Sequence, residues 1–413
     1  MQAAPLPTAV DVAVVGAGFT GLSAALALAK RGASVVVLER HLVGWGASSR
    51  NGGMVLTGLK QPVEALLAKF DVARARLLFD ASIASIDCVE RIVREESIEC
   101  DFARCGHLEV ACKRSHLEGF RRSADVLSRT FGHHVAVLDK PGLADEIATD
   151  AYHGGLVDDA SAGVNPARLA RGLADAAIKH GASIAEGTDV ERIERSAAGG
   201  SRAFALTTSC GALRAGQVFI ATGAYTGSLT PALRRRVIPV GSYVITTDIL
   251  EAPTARALIP RSRMVFDSNN FLHYYRPTPD GRLLFGGRAA FFPADDRTIR
   301  ESAAILRRGM LGVFPQLRDA PVAYAWGGTI DFTFDMLPHA GEIEGIKYAM
   351  GYAGHGVAMA TYAGTEMAAV IAGEEREVIA SGPMPSAPLG LYRGTPWFLP
   401  FAGAWYKLVD WAS

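Results

Sequence analysis

The sequence predicts an α/β fold in which a parallel-sheet domain is interrupted by a second, mainly antiparallel α+β domain. Three observations carry this. A strand, a glycine-rich turn, a helix and a second strand open the chain as one β-α-β unit. The same alternation returns near residues 165–223, and the stretch 228–325 between that return and the last helix is rich in strand-like runs.

Val10–Val15 is a short apolar run followed at once by Gly16-Ala17-Gly18-Phe19-Thr20-Gly21. Phe19, Leu22, Ala25, Leu26 and Ala29 then recur at helical spacing, with Gly32 as the stop, and "ASVVVLER" gives a second buried strand ending at Glu39. Residues 60–99 read as helices. In "NPARLARGLADAAIKHG", Asn165 is the expected N-cap, Pro166 the first helical residue and Gly181 the stop; strands "ASIAEGTDVERIE" and "GQVFIATGA" follow. The runs "GSYVITTDI", "FLHYYRPTPDGRLLFGG" and "PVAYAWGG" make the antiparallel part. The expected division is 1–99, 155–227 and 326–378 for the first domain, 100–154 and 228–325 for the second, and 379–413 for an aromatic tail.

Composition narrows the function classes. Lys plus Arg and Asp plus Glu are equal at 42 each, so no field advertises nucleic acid or an anionic membrane surface. No apolar run is long enough to span a bilayer, and the amino terminus lacks the pattern of a secretory signal, which makes the cytoplasm the expected location. The five cysteines, Cys88, Cys100, Cys105, Cys112 and Cys210, form no zinc-type spacing, so no metal is expected. "CGHLEVAC" reads as a glycine turn entering a strand.

The loop Gly16-x-Gly18-x-x-Gly21 lies between strand and helix, and an acid, Glu39, closes the next strand. This is the fingerprint of a Rossmann-type dinucleotide site: the first glycine turns, the second admits a pyrophosphate, the third packs helix on strand, and the acid binds ribose. A second small-residue loop, "GWGASSRNGG" at 44–53, follows almost immediately. Its hydroxyls, backbone N–H groups and Arg50 guanidinium suit an extended anionic ligand, which favours FAD over NAD.

Together these stretches, with "GVNPARLARGLADAA", "VFIATGAYTG" and "GYAGHGVAMATYAG", resemble the FAD-dependent amine and amino-acid oxidoreductases that include D-amino acid oxidase, glycine oxidase and sarcosine oxidase. "GASSRNGG" with "HYYRPTPDGRLLFGGR" is most similar to the γ-glutamylputrescine oxidoreductase branch. The resemblance implies FAD contacts at Gly16, Gly18, Gly21, Glu39 and Arg40, at Ser48, Ser49, Arg50, Asn51 and Gly52, and at Val190 and Gly223. It adds Gly354, His355, Gly356 and Val357, where a helix N-terminus faces the developing negative charge of a reduced flavin. No cysteine follows Cys210 and the 44–53 loop holds no histidine, so the covalent attachments found in such proteins are not expected and FAD is expected to be non-covalent.

The resemblance further implies hydride transfer from the carbon bearing nitrogen to flavin N5, hydrolysis of the imine, and reoxidation by oxygen with release of hydrogen peroxide. Expected catalytic residues are Tyr275, His273, Arg288 and His355. In "HYYR" the two-residue period puts His273 and Tyr275 on one face and Tyr274 and Arg276 on the other; the resemblance favours the Tyr275 face. Arginines that clamp a substrate α-carboxylate are missing near Trp326 and Gly354, which favours an amine without one, such as a γ-glutamylputrescine-like amine, or a carboxylate held elsewhere, with Arg276 and Arg288 as the candidate replacements. Leu284 stands where sarcosine oxidase has a lysine that assists reaction with oxygen, so a dehydrogenase of an amino acid or N-alkyl amino acid, passing electrons to a quinone or carrier protein, stays open. So do a structural or redox-sensing flavoprotein, an NAD enzyme and a homo-oligomeric state. Asp331, Asp335 and His339 read as turn or structural residues, and the aromatic tail as packed on the protein or a partner rather than on a membrane.

Overall fold

A computed structural model describes residues 6–195, 203–287, 295–379, 382–387 and 390–412. Two large sheets organise them. The first runs, in spatial order, His339–Ile343, Ile346–Met350, Gly211–Ile220, Ala9–Val15, Val35–Leu38 and Ser183–Ala185, with Phe204–Thr208 and Val190–Arg195 attached beside Gly211–Ile220. Its centre is parallel: Ala9–Val15 pairs with Gly211–Ile220 on one side and with Val35–Leu38 on the other. Val12–Val15 and Val35–Leu38 are buried on both faces, as their unbroken apolar runs require.

Helices Phe19–Lys30, Val72–Glu95, Pro166–Lys179 and Gly356–Ile371 pack together in the core of this domain. Asn165 does cap its helix, its side chain accepting from the Arg168 N–H. Helices Phe19–Lys30 and Gly356–Ile371 approach so closely that a Cβ on Gly364 would sit 2.1 Å from the Thr20 carbonyl oxygen.

The second sheet has the order Val322–Phe332, Ile238–Thr247, Leu283–Gly287, His273–Pro277, Met264–Asp267, His107–Val110, Gly154–Asp158 and Ala136–Asp139. Every pair is antiparallel except Met264–Asp267 with His107–Val110. The expected boundaries at 154/155 and 325/326 both fall inside strands of this sheet. Gly154–Asp158 pairs with His107–Val110, and Val322–Phe332 pairs along its length with Ile238–Thr247. Ladder partners distant in sequence fix these strands, which composition could not show.

One face of the second sheet is covered by the helix Asp296–Val313, enclosing a core of Leu108, Val265, Tyr275, Phe285 and Phe314. The opposite face looks toward the first domain. The C-terminal helix Leu399–Ala412 reaches back to it: the Asp410 carboxylate accepts from the Asn270 and Phe271 N–H groups and from the Asn270 side chain. Among the described residues no helix is long and apolar enough to cross a membrane, and no group of three potential ligands could hold a metal ion.

Candidate active site

The dinucleotide loop is built from close approaches. Gly16, at φ +106°, turns the chain where a Cβ would lie 2.8 Å from the Ala221 carbonyl oxygen, and a Cβ on Gly21 would lie 2.0 Å from the Gly16 carbonyl oxygen. Glu39 bridges two strand ends: Oε2 accepts from the Ala17 N–H at 2.8 Å and Oε1 from the His41 N–H at 2.8 Å. Its carboxylate thus stands beside the dinucleotide loop. Arg40 instead reaches outward to Asp189, at 2.9 Å, with more than half its side chain exposed. Val190 is buried at the start of its strand, beside the Thr188 N–H that donates to the Glu39 carbonyl.

The 44–53 segment is not a plain loop; Ala47–Arg50 forms one helical turn. Ser48 Oγ accepts from the Phe19 N–H at 2.9 Å and so caps the first long helix, and Gly18 is glycine because a Cβ there would meet that Oγ at 2.9 Å. Ser49 donates to the Gly44 carbonyl at 2.6 Å. Arg50 spends Nε on the Trp45 carbonyl and Nη1 on Gly327, while the Trp326 indole N–H donates to the Arg50 carbonyl at 2.9 Å. Asn51 donates to Ala47 and Ser48 carbonyls and accepts from the Gly53 N–H. These bonds fasten the segment to both domains.

Between the second sheet, the segment 47–66 and the helix start at 353–357 lies a cavity of about 610 Å³. Arg50, Asn51 and Gly52 line it on one side and Gly354, His355 and Val357 at the start of the helix Gly356–Ile371 on another. Gly223 lies nearby in the fold against Asp331, whose carboxylate accepts from the Gly351 N–H at 2.6 Å and so shapes the turn before that helix. His355 Nδ1 is buried without a hydrogen-bond partner among the described residues. Burial, aided by the positive Lys60 and by His107, pushes this imidazole down to about 3, so it is neutral at physiological pH. A buried ring nitrogen without a protein partner beside a helix N-terminus, together with a glycine cradle that any Cβ would fill, fits an anionic dinucleotide cofactor.

The face of "HYYR" is the reverse of the expected one. Residues directly opposite in paired strands share a face, and Tyr274 pairs with Phe266 and Gly286 while Phe266 pairs with Glu109. That face lines the cavity. The Tyr274 ring lies so close to Gly52 and Gly286 that a Cβ would approach it to 2.8 and 2.3 Å. Arg276 donates to the Gly52 carbonyl at 2.7 Å and to Val164 at 2.6 Å, holding the 51–53 segment in place.

Tyr275 is fully buried in the opposite core. Its ring stacks on Phe285 at 5.2 Å, and its hydroxyl donates to the Tyr152 hydroxyl at 3.0 Å. His273 lies on the same side, against Asp267 at 3.3 Å and under Gly309. Neither belongs to the cavity wall. Arg288 lies outside the described residues.

Residues the sequence reading passed over also line the cavity. His107, Glu109, Asp158 and Asp267 do so, and Lys60 faces into it. Asp158 is satisfied by Thr57 and His133, both at 2.7 Å, which keep it below the usual carboxylate range despite its burial. Burial pushes the Glu109 carboxyl up to about 7. The alternation Leu108, Glu109, Val110 was the available signal: one acid facing away from two apolar neighbours.

Residues 11–370 match the family described as FAD dependent oxidoreductase, DAO. The chain belongs to the DAO family of FAD-dependent oxidoreductases. It is 34% identical over 375 residues to the probable oxidoreductase OrdL of Haemophilus influenzae, covering 89% of this chain and 84% of that one. To the gamma-glutamylputrescine oxidoreductase of Escherichia coli it is 33% identical over 404 residues, covering 97% of this chain and 92% of that protein. The crystal structure of glycine oxidase from Geobacillus kaustophilus superimposes with a TM-score of 0.76 at 25% identity, covering 92% of this chain and 99% of that one. The DAO family assignment makes FAD the cofactor.

Proposed function

We propose that this DAO-family enzyme oxidises a primary or secondary amine of the γ-glutamylputrescine type, at a carbon that carries no carboxylate. The observation that carries the reading is the state of the cavity's arginine. Among the described lining residues Arg50 is the arginine, and two of its donors are already committed to the Trp45 and Gly327 carbonyls. A bidentate clamp for an α-carboxylate is therefore not on offer there. The likeness to the Escherichia coli gamma-glutamylputrescine oxidoreductase over 97% of the chain supports the same substrate type.

FAD, bound non-covalently on this reading, would supply the acceptor for the hydride equivalent that leaves the carbon bearing nitrogen. The protein's own task is to bind the amine neutral, orient its C–H and exclude water. Tyr274, wedged against Gly52 and Gly286, forms a rigid aromatic wall for that orientation. His355, neutral and donating no net charge, supplies a ring nitrogen at the helix start, where the backbone N–H groups favour developing negative charge.

We take oxygen as the acceptor. A quinone or carrier protein is the second reading, favoured by Leu284, an apolar side chain on the cavity side within 3.7 Å of a Cβ on Gly52. Anaerobic titration with γ-glutamylputrescine, diamines, N-methyl amino acids and D- and L-amino acids tests both. Bleaching by γ-glutamylputrescine, with recovery in air, is expected; best bleaching by an α-amino acid overturns the substrate reading, and failure to recover in air overturns the acceptor.

A further inference from the structure

Glu109 and Lys60 face the same cavity, and the reaction assigned above uses neither. Glu109 sits on the central strand His107–Val110, which pins its backbone between Met264–Asp267 and Gly154–Asp158. Its side chain shares the cavity face with Phe266 and Tyr274. Among the described residues no hydrogen-bond donor reaches its carboxyl, and no cation lies within 4 Å of it.

The other carboxylates on this wall are satisfied. Asp158 has Thr57 and His133, and Asp267 accepts from the Asn269 and His273 N–H groups. A partly buried acid without a partner is costly, and a ligand that brings its own donors removes the cost.

Position along the cavity follows from the ladder. Tyr274, whose ring packs on Gly52, is followed on the same face by Phe266 and then by Glu109, two strand spacings or roughly 10 Å away. Glu109 and Lys60 line this cavity with opposite charges. A group carrying both signs meets both: its carboxylate faces Lys60 and its ammonium faces Glu109.

We propose that Glu109 and Lys60 form a receptor for a zwitterionic α-amino-acid head at the end of the substrate remote from the reacting amine. Glu109 takes the ammonium by charge-assisted hydrogen bonds and Lys60 takes the carboxylate. The inference rests on the amine reading above in treating that head as the far end of an amine substrate, and it explains how an amino-acid group is recognised without an arginine at the reacting carbon.

The test uses the FAD-loaded protein and two unreactive probes, read by calorimetry and by the flavin difference spectrum. γ-Glutamyl-n-butylamide has the α-amino-acid head and lacks the distal amine at which oxidation is assigned; N-butylglutaramate has the same skeleton without the α-amino group. Glu109→Gln is expected to weaken the first probe by about ten-fold or more and the second by less than about two-fold, whereas Lys60→Met weakens both by about ten-fold, as loss of one charged partner predicts. Glu109→Asp, which keeps the charge, restores binding of the first probe. Retention of bound FAD with wild-type absorbance reports folding of each variant.

Equal loss of both probes in Glu109→Gln, wild-type affinity in that variant, or no binding of either probe by the wild-type protein overturns the receptor. Bleaching by γ-glutamylputrescine that is indifferent to both substitutions overturns it too, and leaves the amine reading standing. The charge-selective pattern with no bleaching by any amine does the reverse.

Discussion

Tyr275→Phe separates the two faces of the strand His273–Pro277. The substitution keeps the ring stacked on Phe285 and edge-on to Phe314 at 5.5 Å, and removes only the hydroxyl that donates to Tyr152. Both hydroxyls are buried, so the loss is one hydrogen bond plus the desolvation left on Tyr152, together about 1–3 kcal/mol. Urea unfolding, followed by far-UV dichroism and by FAD release, reads that loss. Because Tyr275 is on the far side of the sheet from the cavity, the anaerobic rate of flavin reduction at saturating amine should stay within about two-fold of wild type, as for a change that touches no transition-state contact. Slower reduction at unchanged stability would refute the assignment and return Tyr275 to the reacting centre.

Tyr274→Ala, its neighbour, is expected to raise the half-saturating amine concentration by about ten-fold through loss of the orienting wall, measured in the same reduction assay. Gly21→Ala would force a Cβ to 2.0 Å from the Gly16 carbonyl oxygen, a backbone atom that cannot swing away; a loss of about 1–3 kcal/mol or more, with FAD loss on dialysis, is expected. Asp335, paired with Lys69 and with buried His339, is held well below its ordinary pKa, so its contribution is present above the unfolded value near 3.9 and fades as pH falls through the folded one. Asp335→Asn should therefore lower the urea midpoint at neutral pH and converge on wild type in acid. Glu109 behaves oppositely. With its carboxyl raised to about 7 in the setting of Lys60, Asp267 and Glu64, folding is penalised progressively from the unfolded value near 4.3 up to about 7, so Glu109→Gln should be more stable than wild type at pH 8. Over about pH 6 to 8 the wild-type affinity for γ-glutamyl-n-butylamide should rise as Glu109 ionises, and that of Glu109→Gln should not.

The nucleotide half of the site was legible because its signals are local. Gly16, Gly18, Gly21 and Glu39 sit within one β-α-β unit, and each glycine has a steric reason that spacing alone exposes. The substrate half was not. Two-residue alternation divided "HYYR" correctly into two faces, but which face meets the cavity depends on the helix Asp296–Val313 claiming the other one. Glu109 enters the site only through its pairing with Phe266, far along the chain. Ser48 illustrates a third limit. A hydroxyl in a small-residue loop suits a phosphate and a helix N-terminus equally well by type, and it is the three-dimensional neighbour, the Phe19 N–H, that decides its contact in the folded chain.

The position of Ala9–Val15 at the middle of the first sheet bears on how the protein is made. Val35–Leu38 is available to pair with it at once, but its other neighbour is Gly211–Ile220, with Val15 opposite Ile220. At about 5–20 residues per second of synthesis, the intervening chain of roughly 200 residues leaves that edge unpaired on the ribosome for roughly 10–40 s. A strand edge that is apolar from Val12 to Val15 and waits that long is a template for pairing with other nascent chains. Yield of soluble holoprotein should therefore respond to translation speed and to chaperone supply well before it responds to the stability of the finished fold.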